Sequence, residues 1–190
     1  MNWHLGRLKL LLTFLLIAVN SGCILGAFIP APKRNFTPTD LLIGLNDMPS
    51  GWSVLFGPEK VGDNTRSSDS SEIAFSSGRQ LDRWDFRQSV FRNPSIEGAK
   101  ADYSDAITFP GETNIKGWTF SSSIADEQKI SCFTYSNRVV PVCTWEARYQ
   151  EFVVEVVAWI YPGYLSIEEM QNLVEKIDLK FTKYIGGENG

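Results

Sequence analysis

Apolar and polar residues alternate in the later part of the chain with the period of β-strands. Apolar side chains occupy every second position over residues 143–149, and the alternation continues over residues 152–160. The polar pair at 150–151 separates the two runs. This pattern predicts two antiparallel strands joined by a tight reversal, as in a meander.

The alternation assigns the first of these runs to two faces of a sheet. One face carries Cys143, Trp145, Ala147 and Tyr149, and the other carries Thr144, Glu146 and Arg148. A reversal at residues 150–151 also sets Glu146 directly opposite Glu155. Two like charges in that position are unfavourable unless Arg148 lies between them.

Two other segments have the three-and-four spacing of a helix with one buried face. The first spans residues 96–107. The second begins at Ser166, where the Ser and Glu spacing of Ser166 and Glu169 is that of a capping box. Its apolar stripe consists of Met170, Leu173, Val174, Ile177 and Phe181. A shorter helix is predicted from the polar cap and early proline of residues 37–40.

Several shorter segments complete the predicted fold. Aromatic and β-branched residues predict strands at 52–56, 73–76, 83–91 and 117–122, whereas glycine, proline and serine predict a solvent loop over 57–71. Helices alternating with groups of antiparallel strands indicate the α+β class. We expect a sheet of roughly five to seven strands covered by two or three helices in one domain spanning residues 37–185.

The N-terminus has the pattern of an export signal. Arg7 and Lys9 precede a short apolar run at 10–19, and Asn20-Ser21-Gly22-Cys23 follows. These four residues resemble the bacterial lipobox, although Asn20 stands where an aliphatic residue is usual. Two alternatives remain: an uncleaved anchor over residues 10–29, and a signal cleaved near Ala27 without acylation.

The resemblance to lipoproteins implies an organisation for the whole chain. Residues 1–22 are expected to be a signal peptide, 23–36 a tether acylated at Cys23, and 186–190 a flexible tail. The protein would then be exported and anchored to membrane lipid, facing the periplasm or the cell exterior. Export by any of the three routes places the domain where disulfides persist.

Charge and composition exclude several functions. The chain has 190 residues, a net charge of -4 and one histidine, His4. Removal of residues 1–22 takes away that histidine and two of the 18 basic residues, but none of the 22 acidic ones. The mature charge is then near -6, which argues against a nucleic-acid partner. Histidine-dependent catalysis and His-ligated metals are also excluded.

Two cysteines are spaced for a bond across a hairpin. Cys132 and Cys143 lie on either side of the turn residues 136–139. A two-residue loop places this pair at a hydrogen-bonded site, and also requires Pro141 to donate a hydrogen bond, which proline cannot do. A four-residue loop places the pair at a non-hydrogen-bonded site, where the strands approach closely. We therefore expect a disulfide-stapled hairpin with the four-residue loop, and a structural role for the disulfide.

Few other residues suggest chemistry. Arg83 and Arg87 fall on one face of a predicted strand and form a candidate anion site, although a salt-bridged surface is the commoner outcome. Asp63, Asp69 and Glu72 lack the spacing of a calcium loop, and no metal or other cofactor is expected. Trp52, Trp84 and Trp118 are expected in the core, with stacking on a sugar or a partner as the alternative.

The order of elements resembles the α+β sandwich domains of the PsbP and LpqN class of exported proteins. The likeness lies in a Met-Pro-Ser-Gly-Trp entry at 48–52, a late disulfide meander and a final amphipathic helix. We expect a non-enzymatic binding, assembly or sensor module that meets an unknown protein or small molecule through a groove or an aromatic patch. The alternative is a carboxylate-dependent hydrolase of a cell-envelope sugar or ester.

Overall fold

The fold is a single antiparallel sheet with helices packed against it. A computed structural model describes residues 30–61, 67–78, 83–105, 115–134 and 140–186. In these ranges six strands lie in the order β1-β2-β3-β6-β5-β4, so that β1 and β4 are the edges of the described sheet. The strands are β1 (Ser53–Glu59), β2 (Asp69–Ser76), β3 (Phe86–Arg92), β4 (Glu127–Thr134), β5 (Pro141–Tyr149) and β6 (Phe152–Trp159). The described chain thus has the α+β architecture that the sequence predicts.

Within the described residues, two α-helices and two short 3-10 helices accompany the sheet. Helix α1 spans Ile96–Asp105 and helix α2 spans Ile167–Ile185, while the 3-10 helices are Pro38–Leu41 and Leu45–Asp47. The predicted capping box starts α2: Ser166 Oγ accepts from the Glu169 amide at 3.1 Å, and Glu169 Oε2 accepts from the Ser166 amide at 2.7 Å. The predicted apolar stripe of α2 is buried. The last position of the other predicted helix, Ile107, lies outside the described residues.

The reversal between β5 and β6 lies where the alternation predicts it. Tyr149 pairs with Phe152 across the two-residue turn, and Glu146 pairs with Glu155. Gln150 has a φ of 54°, a conformation that turns of this length require and that costs a non-glycine residue energy. Residues outside the turn hold it: Asp126 Oδ2 accepts from the Gln150 amide at 2.6 Å, and Arg34 Nε donates to Glu151 Oε1 at 2.8 Å.

The main core lies between the sheet and α2. All four residues predicted for one face of β5 belong to it, as do Phe152, Val154, Val156 and Ala158 from β6. The stacked rings of Tyr149 and Phe181, with centroids 4.1 Å apart, join β5 to the helix. Helix α1 packs on the opposite face of the sheet through Ala99 and Tyr103.

The solvent loop predicted over residues 57–71 is wrong at both ends. Strand β1 continues through Gly57 and Pro58 to Glu59, and β2 already begins at Asp69. Proline is tolerated here because β1 is an edge strand with two irregularities in its register. Gly57 is required because a Cβ there would lie 2.3 Å from the Glu72 carbonyl oxygen. The serines of β2 are held within the fold, since Ser71 shares a 2.6 Å hydrogen bond with Thr39.

The strand predicted over residues 117–122 is also wrong. This segment has no strand partner, and its amides are satisfied by a side chain instead. Gln171 Oε1 on α2 accepts from the Thr119 amide at 2.8 Å and from the Phe120 amide at 3.1 Å. The segment with this strand-like sequence pattern is therefore a coil that is attached to a helix rather than to the sheet.

The final part of the predicted tether is described from Pro30 onward, where it packs on the domain. Pro30 forms a bridge with Ser95, and the Ala31 amide donates to the Pro94 carbonyl at 2.8 Å. Phe36 is buried and stacks on Phe152. No helix within the described ranges is both long enough and apolar enough to span a bilayer.

Candidate functional site

A row of polar side chains crosses five of the six strands on the face that α1 packs against. The register places in one line Glu72 of β2, Ser89 of β3, Glu155 of β6, Glu146 of β5 and Lys129 of β4. Ser89 Oγ donates to Glu72 Oε2 at 2.6 Å. We call this line the polar row. It contains three carboxylates within the sheet, so cations must compensate their charge.

Arg87 and Lys129 supply that compensation. Arg87 Nη2 lies 2.8 Å from Glu155 Oε1, and Lys129 Nζ lies 2.8 Å from Glu146 Oε2. Arg148, which could have relieved the repulsion by lying between the two glutamates, pairs with Asp126 and Glu127 instead. Arg87 and Lys129 therefore take that role.

Burial changes the protonation chemistry of the polar row. Glu146 is 2% exposed, and loss of solvation raises the pKa of its carboxyl despite the nearby Lys129 ammonium. Tyr103 of α1 faces the same residues, and burial with the neighbouring Glu146 charge raises the pKa of its hydroxyl to about 12. Lys129 Nζ also lies 4.8 Å from the centroid of the Tyr103 ring. The Tyr103 ring of α1 thus stabilises the Lys129 ammonium, which is the cation that neutralises Glu146.

The two arginines proposed for an anion site occupy different surroundings. Arg83 precedes β3 and stacks over the Trp159 ring at 3.8 Å from its centroid. Arg87 lies on β3, over the Trp84 ring at 5.1 Å, and its Nε is 3.8 Å from Glu72 as well as being paired with Glu155. This geometry favours the salt-bridged surface over an open anion site.

The acidic residues weighed for calcium are likewise used in other ways. Asp63 lies outside the described residues, Asp69 faces Lys60 at 3.8 Å, and Glu72 belongs to the polar row. Among the residues that the structure describes, no three His, Cys, Asp or Glu side chains are grouped so as to hold a metal ion.

The disulfide joins the edge strand β4 to its neighbour β5. Cys132 and Cys143 are bonded and directly opposite one another, with Cα atoms 4.1 Å apart. Antiparallel strands approach this closely at non-hydrogen-bonded pairs, as the preferred geometry of the hairpin predicts. The loop residues 135–139 lie outside the described ranges. Cys143 is fully buried in the main core, so the bond fixes an edge strand to the core.

A groove with aromatic walls lies beside this stapled strand. Its volume is about 240 Å³, and we call it the β4 groove. The residues lining it are Trp118, Phe120, Ser121, Gln128, Lys129, Ile130 and Trp145. Trp118 is half-buried, and its Nε1 donates to the Phe120 carbonyl at 3.1 Å. Trp52, by contrast, is buried in the main core as predicted.

Hydrogen bonds to one buried carboxylate hold the coil that forms one wall of the β4 groove. Ser122 Oγ donates to Asp178 Oδ1 at 2.5 Å, and the Tyr149 hydroxyl donates to the same oxygen at 2.6 Å. Burial and this carboxylate raise the pKa of the Tyr149 hydroxyl. One buried carboxylate therefore ties the coil, the sheet and α2 together. The wall is held in place before any ligand arrives, which lowers the entropic cost of binding.

The β4 groove combines residues that the sequence does not place together. Trp118 is recognisable from its sequence as a stacking candidate, but Phe120 and Trp145 join it only through packing. Comparisons of the chain with protein-family models, curated proteins and solved structures found no match. What the protein does is therefore inferred from its own residues and their geometry.

Proposed function

We propose that the protein is an exported, membrane-anchored lipoprotein that acts as a non-enzymatic binding, assembly or sensor module. The observation that carries the binding role is the β4 groove, a preformed aromatic cavity beside a strand that is stapled to the core. Aromatic rings at a partly exposed groove offer large contact area at small entropic cost. The resemblance to the PsbP and LpqN class stays a prediction and assigns no residue a role.

Two features support export and anchoring. A disulfide between Cys132 and Cys143 is typical of proteins in oxidising compartments. The sequence Asn20-Ser21-Gly22-Cys23 resembles a lipobox, and Cys23 is the cysteine that this disulfide leaves over. Acylation of Cys23 would retain the domain at the membrane, where a binding module meets envelope partners.

Mass spectrometry of the membrane-extracted protein tests the anchor. We expect a chain that begins at Cys23 and carries added acyl mass, whereas Cys23→Ser should lack that mass and leave the membrane fraction. Lys33→Ala is a matched control that should be processed like the wild type. A chain that retains residues 1–22 would contradict the lipoprotein and support the uncleaved anchor.

Crosslinking in intact cells tests the binding role. The membrane-bound wild type should yield a specific adduct, and Trp118→Ala should reduce it because that ring lines the β4 groove. Trp84→Ala is the matched control, since this half-buried indole lies elsewhere and stacks with Arg87. Equal adducts from the two variants would contradict a role for the groove.

The polar row favours a second candidate, the carboxylate-dependent hydrolase. Glu146, with its raised pKa, lies opposite Glu155, which is paired with Arg87. Paired carboxyls in unlike environments are the arrangement that acid and base catalysis uses. Hydrolysis of an envelope sugar or ester by the wild type, lost in both Glu146→Gln and Glu155→Gln, would establish this candidate. Retention of hydrolysis in both variants would exclude these two carboxyls as its catalysts.

A further inference from the structure

We infer that β4 accepts an extended peptide segment of a partner protein as an additional strand, with a large apolar side chain of that segment seated in the β4 groove. This inference rests on the proposed binding role and specifies the chemistry of the partner. It follows from four features: the unequal protection of the two sheet edges, the direction of the β4 main-chain groups, the size of the groove and the charges on the strand.

The two edges of the sheet differ in how they resist strand addition. The register of β1 is interrupted twice, and Pro58 removes one of its amide donors. Bulges and prolines are the usual means by which proteins prevent pairing at an edge. The register of β4 is unbroken over all eight residues from Glu127 to Thr134, none of which is a proline. The β4 edge therefore lacks the protection that the β1 edge has.

The direction of the β4 main-chain groups follows from the ladder. The Arg148 carbonyl accepts from the Asp126 amide at 2.9 Å, so even-numbered residues of β5 face β4. The Pro141 carbonyl accepts from the Ile160 amide at 3.0 Å, so odd-numbered residues face β6. Through the observed register, the amides and carbonyls of Gln128, Ile130 and Cys132 point away from β5.

These outward groups form the template that an added strand requires. In the part of the chain that the structure describes, the amides of Gln128, Ile130 and Cys132 have no backbone partner beyond β4. An extended peptide can satisfy them with its own alternating donors and acceptors, which is the recognition mode called β-augmentation. The disulfide at Cys132 prevents the template from fraying when a partner binds.

The groove is too small for a typical cofactor and suits one side chain. Its volume of about 240 Å³ is below the several hundred Å³ of most ligand pockets. It also adjoins Gln128 and Ile130, two of the residues with outward main-chain groups. A ligand that fills the cavity with one apolar group and extends along the edge matches both features, and a peptide strand has that shape.

The charges on β4 indicate an uncharged partner segment. Glu127 pairs with Arg148 at 2.9 Å and Lys129 pairs with Glu146 at 2.8 Å, so both charges are neutralised within the protein. A free lysine on an edge would repel many incoming strands, but this lysine is occupied. An uncharged strand adds no unpaired charge beside these ion pairs.

Binding of a synthetic peptide to the full-length protein tests the inference. The probe is the end-capped peptide Thr-Val-Thr-Phe-Thr-Val-Thr, compared with two controls: the same peptide with alanine in place of phenylalanine, and a version N-methylated at alternate residues. We expect the wild type to bind the probe at least about tenfold more tightly than either control. The N-methylated control leaves the protein unchanged, so a folding defect cannot produce its result.

Variants locate the binding site. Gln128→Pro and Gln128→Ala both remove a side chain that lines the β4 groove, but only Gln128→Pro also removes the outward amide, without breaking the β4–β5 ladder. Gln128→Pro should therefore bind the probe about tenfold more weakly than Gln128→Ala does. Trp118→Ala should also weaken binding, whereas Trp84→Ala should not.

Three outcomes would overturn the inference: no binding of the probe, equal binding of the N-methylated peptide, or equal binding by Gln128→Pro and Gln128→Ala. These outcomes leave the broader proposal separately testable. A protein that is acylated at Cys23 and crosslinks to a partner through Trp118, but binds none of these peptides, remains a membrane-anchored binding module with a different ligand.

Discussion

Two opposing effects act on the carboxyl of Glu146 in the sheet. Burial opposes its charge, and the Lys129 ammonium 2.8 Å away favours it. Because desolvation is the larger effect, the pKa of Glu146 is raised above its ordinary value of 4.5. The folded protein therefore takes up a proton at this site at a higher pH than the unfolded chain does. Its contribution to stability is greatest at low pH and falls as the pH rises through that interval.

This linkage gives a signed prediction for Glu146→Gln. Relative to the wild type, the free energy of unfolding of the variant should increase as the pH rises from about 4 to about 7, because glutamine carries no charge to desolvate. Urea unfolding at a series of pH values measures the difference. In Lys129→Met the free energy of unfolding should fall more steeply with rising pH than in the wild type, because the ammonium that favours the Glu146 charge is gone. Parallel curves for all three proteins would contradict the account.

A second residue-scale prediction concerns the ion pair between Arg34 and Glu151, a residue of the β5–β6 turn. Arg34 Nε and Nη2 donate to the two oxygens of Glu151 at 2.8 and 3.0 Å, and the side chains of the pair are 4% and 0% exposed. Arg34→Ala would leave a buried carboxylate without this partner, at a cost of about 3–5 kcal/mol in the free energy of unfolding. Denaturant titration measures this loss.

The neighbouring exposed residue provides the control for Arg34. Lys33→Ala should change stability by no more than about 0.5 kcal/mol, because its side chain is in solvent. A similar loss in both variants would show that the N-terminal segment contributes through its backbone rather than through this ion pair. Arg92 Nη2 also lies 3.6 Å from Glu151 Oε1, so in Arg34→Ala it would still compensate part of the Glu151 charge and limit the loss of stability.

At the scale of elements, the sequence predicts what is encoded locally. The α2 capping box, its apolar stripe and the alternation of β5 and β6 depend on neighbours within a few residues, and each is confirmed. The predicted strand at residues 117–122 is wrong because its amides bind Gln171, a partner about 50 positions away. Likewise, Pro58 suggests a loop unless one knows that β1 is an edge.

The same distinction between local and distant contacts applies to the candidate sites. The opposition of Glu146 to Glu155 follows from the turn position alone, and the disulfide register places Lys129 opposite Glu146. Both could be calculated from the sequence. The β4 groove could not, because the coil carrying Trp118 and Phe120 reaches β4 only through its attachment to α2. Local patterns do not encode that attachment.

The ladder of β4 predicts an alternation in amide hydrogen exchange. Amides of Lys129, Ser131 and Phe133 point to β5 and should exchange slowly, whereas those of Gln128, Ile130 and Cys132 point outward and should exchange faster. Residue-resolved exchange by nuclear magnetic resonance measures the two sets. Bound peptide should slow the outward set selectively. Equal protection of both sets in the free protein would show that the β4 edge is already covered.

At the scale of the whole molecule, the described fold determines how an acylated N-terminus would hold the domain. Pro30 and Ala31 are fixed to the corner between β3 and α1, at Pro94 and Ser95. Seven residue steps separate Cys23 from Pro30, and a fully extended chain of that length spans at most about 25 Å. The corner would therefore stay close to the bilayer surface. The opposite end of the sheet lies about one strand length, roughly 25 Å, further along.

This geometry predicts which end of the acylated domain faces the membrane. Glu97 is exposed near the anchored corner, whereas Ser53 is exposed at the far end of the sheet, where it pairs with Ser76. A fluorophore attached through Glu97→Cys should be quenched by headgroup nitroxides in proteoliposomes more strongly than one attached through Ser53→Cys. Inserting about 20 Gly/Ser residues after Cys23 should abolish the difference, because a long flexible linker frees the orientation. Stronger quenching at Ser53 than at Glu97 would mean that the segment between Cys23 and Pro30 does not orient the domain as its length and attachment require.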